Sequence, residues 1–290
     1  MGRAFALGVG LNTAFVAVEV VFGLLSGSMA LVADAGHNVS DVLGLLIAWG
    51  ASVMGAQPAS ARFTYGFKAS SILAALANAG LLFVALGAIL FETVHRLLHP
   101  EAVQGWTMIV VAAVGIVINT ATALLFARGR KNDLNVRAAF MHMAADALVS
   151  LGVVLAGALV LFTGALWIDP ATSLVIVLVI GWGTWGLLKD SVRMGLLAVP
   201  EGIDERAVRQ LLAALPGVEA VHDLHIWPMS TTETALTAHL VIPKGAPGDA
   251  FLHDLAHELE HDFGIGHATV QVETGEDDCH LDHAHGGSDG

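Results

Sequence analysis

His37 and Asp41 stand four residues apart in an otherwise apolar stretch, and His142 and Asp146 repeat that spacing in another. On a helix, residues i and i+4 share a face, so each pair presents an imidazole beside a carboxylate. Together the pairs offer two nitrogens and two oxygens, a donor set that suits tetrahedral Zn²⁺. Two carboxylates also cancel the charge of a dication, which matters where an unpaired buried charge costs several kcal/mol or more. Polar packing between helices is the plainer alternative, and it accounts poorly for two matched pairs.

The stretches that carry these pairs are long enough to cross a bilayer. A span needs about 20 mostly apolar residues. Six stretches qualify: Ala4–Leu25, Ala30–Met54, Ser71–Leu90, Trp106–Phe126, Leu134–Phe162 and Ile168–Leu188. At ~1.5 Å per residue, the first pair lies roughly 14 Å from the start of its span and the second roughly 15 Å from the start of its own. Both depths fall near the middle of a hydrocarbon core about 30 Å thick, so neighbouring helices would bring the pairs to one level.

Composition agrees. Of 290 residues, 55% are hydrophobic and 13% charged, against about 25% charged in a soluble domain. The formal charge of −13 comes mostly from residues after Pro200, which speaks against a nucleic-acid binder. Arg3 before an apolar run, with Ser28-Met29-Ala30 after it, imitates a signal peptide, but the run is too long for one. Arg3, Arg62, Lys68, Arg128, Arg130, Lys131, Arg137, Lys189 and Arg193 fall on alternate breaks, while the other breaks carry only Arg96. The positive-inside rule then places both termini in the cytoplasm.

After Pro200 the texture changes. Asp204–Leu215 and Asp249–Phe263 read as helices, and Val218–Pro228, Thr234–Pro243 and His267–Glu273 as strands. The order α-β-β-α-β predicts a small α+β domain with an antiparallel sheet. The expected organisation is a transport domain over 1–195, a cytoplasmic domain over 200–274, and an acidic, disordered tail over 275–290. The tail residues Cys279, His280, His283 and His285 are candidates for loose metal capture.

One string points to another class. His257-Glu-Leu-Glu-His-Asp-Phe-Gly-Ile-Gly-His267 matches the zinc-protease signature H-E-x-x-H-x-x-G-x-x-H. Its context does not fit: no Met follows Met229 to make the downstream turn, and 23 residues after His267 are too few for the rest of a protease domain.

Four segments resemble the cation diffusion facilitator family of metal/proton antiporters, especially its zinc-exporting bacterial members. They are Ser28–Asp41, Arg62–Phe67, Asn135–Asp146 and the His222-Asp-Leu-His-Ile-Trp227 run. The resemblance implies six transmembrane helices, a ferredoxin-like cytoplasmic domain, a homodimer and proton-coupled export of Zn²⁺ or Cd²⁺. It makes His37, Asp41, His142 and Asp146 the transport ligands. It also suggests His222, His239 and Glu273, with His257 as a further candidate, as cytoplasmic metal ligands; solvated histidines are the alternative.

The match has departures. Ser71 stands where many relatives carry Glu, so the salt bridges after Lys68 are expected to differ. Gln57–Phe67 has no His, Asp, Glu or Cys, so no metal site is expected there. The absence of a His-rich loop between the fourth and fifth spans favours a prokaryotic inner-membrane protein.

Asn12, Glu19, Asn78 and Asn119 read as polar contacts between helices, with Glu19 and Asp34 also candidates for a proton or ion pathway. A metal sensor anchored by its spans is the competing class. The two pairs near mid-membrane discriminate, because a sensor needs no site at that depth.

Overall fold

The computed structural model describes residues 3–127, 134–245 and 247–275. Six helices come first: α1 (Arg3–Ser26), α2 (Met29–Gly55), α3 (Ser70–Leu98), α4 (Gly105–Ala127), α5 (Leu134–Thr163) and α6 (Ile168–Gly195). Then follow α7 (Glu205–Ala213), β1 (Ala220–Pro228), β2 (Thr234–Val241), α8 (Asp249–Phe263) and β3 (His267–Glu273). The expected elements are all present. By length and composition α2 to α6 can each cross a membrane, and α1 carries an apolar stretch over Thr13–Ser26. α3 runs beyond the expected Leu90 to Leu98. Its last turns hold Glu92 and Arg96 one turn apart, ion-paired at 3.0 Å, so the charged end stays helical.

Contacts group the chain into two units, Met1–Ile47 with Ala77–Leu188, and Ala48–Leu76 with Lys189–Gly290. The first unit has a core of Phe15, Leu31, Leu86, Met108, Val153 and Ile176. It also turns large apolar side chains outward, among them Val84, Phe91, Phe162 and Trp182. Apolar surface on this scale belongs against lipid, not water. α4 and α5 approach backbone to backbone: a Cβ on Gly105 would lie 3.0 Å from the Gly157 carbonyl oxygen, and one on Gly157 would lie 3.0 Å from that of Gly105. Glycine at both positions is what lets the helices close.

The start of α2 is held from another helix. Gly27 takes φ 69° in the turn after α1, a conformation that costs glycine little. Ser28 then caps α2, its Oγ accepting from Leu31 N at 3.2 Å. Asp169, fully buried in the first turn of α6, accepts from Ser28 Oγ (2.6 Å), Met29 N (2.7 Å) and Ala30 N (3.2 Å). Ser28 N bonds back to Gly23 O and Val32 N to Ser28 O. The amides that open a helix, otherwise orphaned, are thus all satisfied without water.

In the second unit the sheet order is β1-β2-β3. β1 and β2 pair antiparallel, joined by a turn in which Met229 N donates to Glu233 O. β3 runs parallel to β2, with Ala235 beside His267 and Val241 beside Glu273. The sheet is therefore mixed and not wholly antiparallel as expected. The reason is α8, a 15-residue crossover that returns the chain to the end where β2 began, as parallel pairing requires. Helices and sheet share a core of Val208, Leu212, Leu236, Leu240, Leu259 and Ile265.

The segment between α2 and α3 belongs to this unit. Lys68 ion-pairs with Glu233, Thr231 N donates to Ser71 Oγ at 3.1 Å, and the Tyr65 and His267 rings meet edge-on at 5.6 Å. Ser71 thus offers the β1–β2 turn a hydroxyl acceptor, and the salt bridge is made by Lys68 instead.

Candidate metal centres

α2 presents His37 and Asp41 toward α5, which presents His142 and Asp146. The neighbouring positions on α2 are glycines. A Cβ on Gly36 would come within 2.8 Å of Ile89, and one on Gly44 within 2.7 Å of the Asn78 side chain. Side chains of α3 thus reach α2 at these two glycines, while His37 and Asp41 face α5.

The four side chains converge. His37 Nε2 lies 3.5 Å from Asp41 Oδ2 and 4.0 Å from Asp146 Oδ1. His142 Nε2 lies 3.2 Å from Asp41 Oδ2 and 3.6 Å from Asp146 Oδ2. The two rings meet edge-on with centroids 5.9 Å apart. Tetrahedral bonds of about 2.0–2.1 Å require donor atoms about 3.3 Å apart; His37, His142 and Asp146 offer donor atoms within 4.8 Å of one another, and Asp41 flanks them against both imidazoles. Asp146 is nearly buried, whereas His142 is 43% exposed, so one flank of the cluster is open.

Behind this cluster sit Asp34 and Glu19, both almost completely buried. Asn38 Nδ2 donates to Glu19 Oε2 at 2.9 Å, and Ser150 Oγ to Asp34 Oδ2 at 3.3 Å. Among the described residues, neither carboxyl belongs to a group of metal donors.

A second cluster forms in the small domain. β1 and β2 place His222 opposite His239, and Glu273 ends β3. Glu273 Oε2 lies 3.0 Å from His222 Nε2, and Oε1 lies 3.0 Å from His239 Nδ1. A bulge after His222 puts Asp223 at φ 47°. Its carboxylate then approaches His239 Nε2 (3.5 Å) and His225 Nε2 (2.9 Å). Sequence reasoning missed Asp223 and His225, because strict alternation sends residue 223 to the opposite face from His222. The signal was the H-D-L-H string itself, with a polar residue where a regular strand has none, since bulges re-aim side chains.

Burial pushes the Glu273 carboxyl up, but the hydrogen bond from Gln271 and the His222 and His239 imidazoles outweigh it and hold it below the usual range. A depressed carboxyl contributes stability above its unfolded value of about 4.3 and loses it as pH falls through its folded value. With metal chelated, the chain is expected to lose melting temperature more steeply than Glu273→Gln as pH drops below about 4.3. Equal slopes in a pH series of thermal melts would remove this linkage.

His257 is not part of that cluster. It is exposed on α8, where its ring stacks with that of His261 at 6.2 Å. His267 turns toward Tyr65. Among the described residues no group of metal donors contains His257, His261 or His267, so the protease-like string does not assemble a centre. Cys279, His280, His283 and His285 lie outside the described residues.

An apolar helical domain with one convergent His/Asp cluster, joined to a small α+β domain with another, describes a membrane protein that handles metal cations. The cation efflux transmembrane domain matches residues 6–194, and the cytoplasmic domain of cation efflux proteins matches 200–275. The chain is 36% identical to the cation efflux system protein CzcD of Alcaligenes sp. (strain CT14), over 93% of this chain and 86% of that one. It is 35% identical to the zinc transporter ZitB of Escherichia coli (strain K12), over 96% and 90%. A cadmium, cobalt and zinc/H⁺–K⁺ antiporter of Bacillus subtilis (strain 168) is 33% identical over 90% and 86%. The chain belongs to the cation diffusion facilitator family; it is a metal-cation efflux transporter and not an enzyme.

Proposed function

We propose that this chain exports Zn²⁺, and secondarily Cd²⁺, from the cytosol by alternating access, taking protons in exchange at His37, Asp41, His142 and Asp146. The observation that carries this reading is the spacing of 3.2–4.0 Å between imidazole and carboxylate atoms of two different helices. Imidazole and carboxylate together suit Zn²⁺ better than harder ions such as Mg²⁺, and the substrates named for ZitB and the antiporter include zinc.

The exchange follows from competition. Each donor must be deprotonated to hold metal, so a bound dication and bound protons exclude one another. Histidine's ordinary value of about 6.5 puts that competition near physiological pH. Protons entering from outside displace the metal, and the protonated carrier returns to the cytosolic side. The lysine and arginine pattern supports both termini inside, the bacterial relatives support an inner-membrane protein, and the cytoplasmic domain supports a homodimer. His222, His239 and Glu273, with Asp223 behind them, are candidates to bind a regulatory metal there.

The coupling is tested in proteoliposomes loaded with a zinc-sensitive dye. Zn²⁺ entry is expected to collapse to background when the pH gradient is dissipated. Entry at an unchanged rate would contradict the exchange.

A further inference from the structure

The buried carboxyls behind the metal ligands have a composition of their own. Glu19 of α1 is fully buried and Asp34 of α2 is 1% exposed. Asn38, which holds Glu19, stands one turn from Asp34 on α2, so the two carboxyls share one buried patch. Among the described residues, Asn38 Nδ2 donates to Glu19 Oε2 and Ser150 Oγ to Asp34 Oδ2. Glu19 Oε1 is buried with no donor. A proton between the carboxyls supplies the missing donor and removes one of two adjacent charges. Neighbouring like charges in a site closed to water resist ionising together.

The charged surroundings are sparse. Asp146 stands one turn from Ser150 on α5, and Ser150 holds Asp34. α4, which packs on α1, has no titratable residue along its length, and the titratable residues of α3 (Glu92, His95 and Arg96) are confined to its far end. A field change at Asp146 is therefore felt by the carboxyl pair with little to mask it.

We propose that Glu19 and Asp34 form a proton-sharing pair that carries an exchanged proton separately from the four metal ligands. This rests on the exchange reading above and adds a second proton site to it. Asp34 lies one turn from His37 on α2, and Asn38, the residue after His37, holds Glu19. A dication arriving at Asp146 lowers the cost of charging the pair, so the shared proton leaves as H⁺. Metal release raises that cost, and a proton returns. No bond to metal and no redox change is involved. The coupling is reciprocal: a proton on the pair weakens metal binding by the same factor that metal weakens the proton.

The test counts protons released when Zn²⁺ is added to the full chain in weakly buffered detergent, with bound Zn²⁺ measured in parallel. Glu19→Gln and Asp34→Asn keep size and hydrogen-bonding capacity but leave no carboxyl pair to share a proton. Each is expected to bind Zn²⁺ and to release fewer protons per zinc than the unaltered chain, by about one. The cytoplasmic donors contribute equally to both and cancel. The infrared difference between metal-free and Zn²⁺-loaded protein should show loss of a protonated-carboxyl band, and that loss should be absent in Glu19→Gln. Unchanged proton release in both variants overturns the pair and leaves the four-ligand exchange standing. Should either variant fail to fold, an infrared difference on the unaltered chain with no protonated-carboxyl loss overturns it instead. If the unaltered chain releases no protons at all, the exchange reading itself falls.

Discussion

Asp146→Ala is expected to bring zinc flux into proteoliposomes down to background, with the protein still folded and inserted. The carboxylate is the most buried of the four ligand candidates, and it faces both imidazoles, at 3.6 and 4.0 Å. Removing it leaves three donors and a loaded site with net charge +1. An uncompensated charge in a dehydrated site costs several kcal/mol. At 1.4 kcal/mol per tenfold, affinity should fall on the order of 10² to 10³. Asp146→Asn keeps the shape but not the charge, and should lose nearly as much. Flux above half of the unaltered rate in either variant would show that the ion crosses without this carboxylate.

The second large effect is on stability. Asp169→Ala is expected to destabilise the helical unit by about 3 kcal/mol or more, since hydrogen bonds to a charged group each contribute about 1.5–3 kcal/mol. Three donors, Ser28 Oγ, Met29 N and Ala30 N, would lose their acceptor. Two of them are amides at the start of α2, where no water replaces the carboxylate. A domain of this size loses about 2–4 °C per kcal/mol, so a fall of about 10 °C in the melting temperature in detergent is expected. Asp169→Asn, which still offers an oxygen, should fall less. A melting temperature within 2 °C of the unaltered chain for Asp169→Ala, about the shift of a fraction of one kcal/mol, would show that α2 does not need this cap.

The two results bear on one design. α2 carries two of the four ligand candidates and one of the shared-proton carboxyls, so its start must be anchored while its middle is full of polar groups. Asp169 supplies the anchor from α6.

How much of this was readable from residue order follows from the range of the interactions. The six apolar helices and the His37/Asp41 and His142/Asp146 pairs are local patterns with helical spacing, and they were legible. Depth put the two pairs at one level, since both sit about ten residues into their spans, but did not say that α2 and α5 are neighbours.

Asp169 was not legible. Beside Pro170 it reads as an ordinary helix-start acid, and nothing local says that its oxygens reach a helix 140 residues earlier. The third strand's direction was missed because the length of α8 fits either a return or a crossover. Asp223 was missed because a bulge breaks the alternation used to assign strand faces. Glu19 and Asp34 were legible as costly residues, but the bond from Asn38 that brings Glu19 beside Asp34 needs the packing of α1 on α2. In each case the missing information lies in contacts between distant segments.

The most direct measurement of the central claim is X-ray absorption at the zinc edge. The sample is the full chain in lipid, loaded with one Zn²⁺ per chain, with His222→Ala and His239→Ala to disable the cytoplasmic cluster. Four nitrogen and oxygen neighbours at about 2.0–2.1 Å, two of them with imidazole outer-shell scattering, are predicted. A shell with no imidazole signature, or one unchanged by Asp146→Ala, would contradict it.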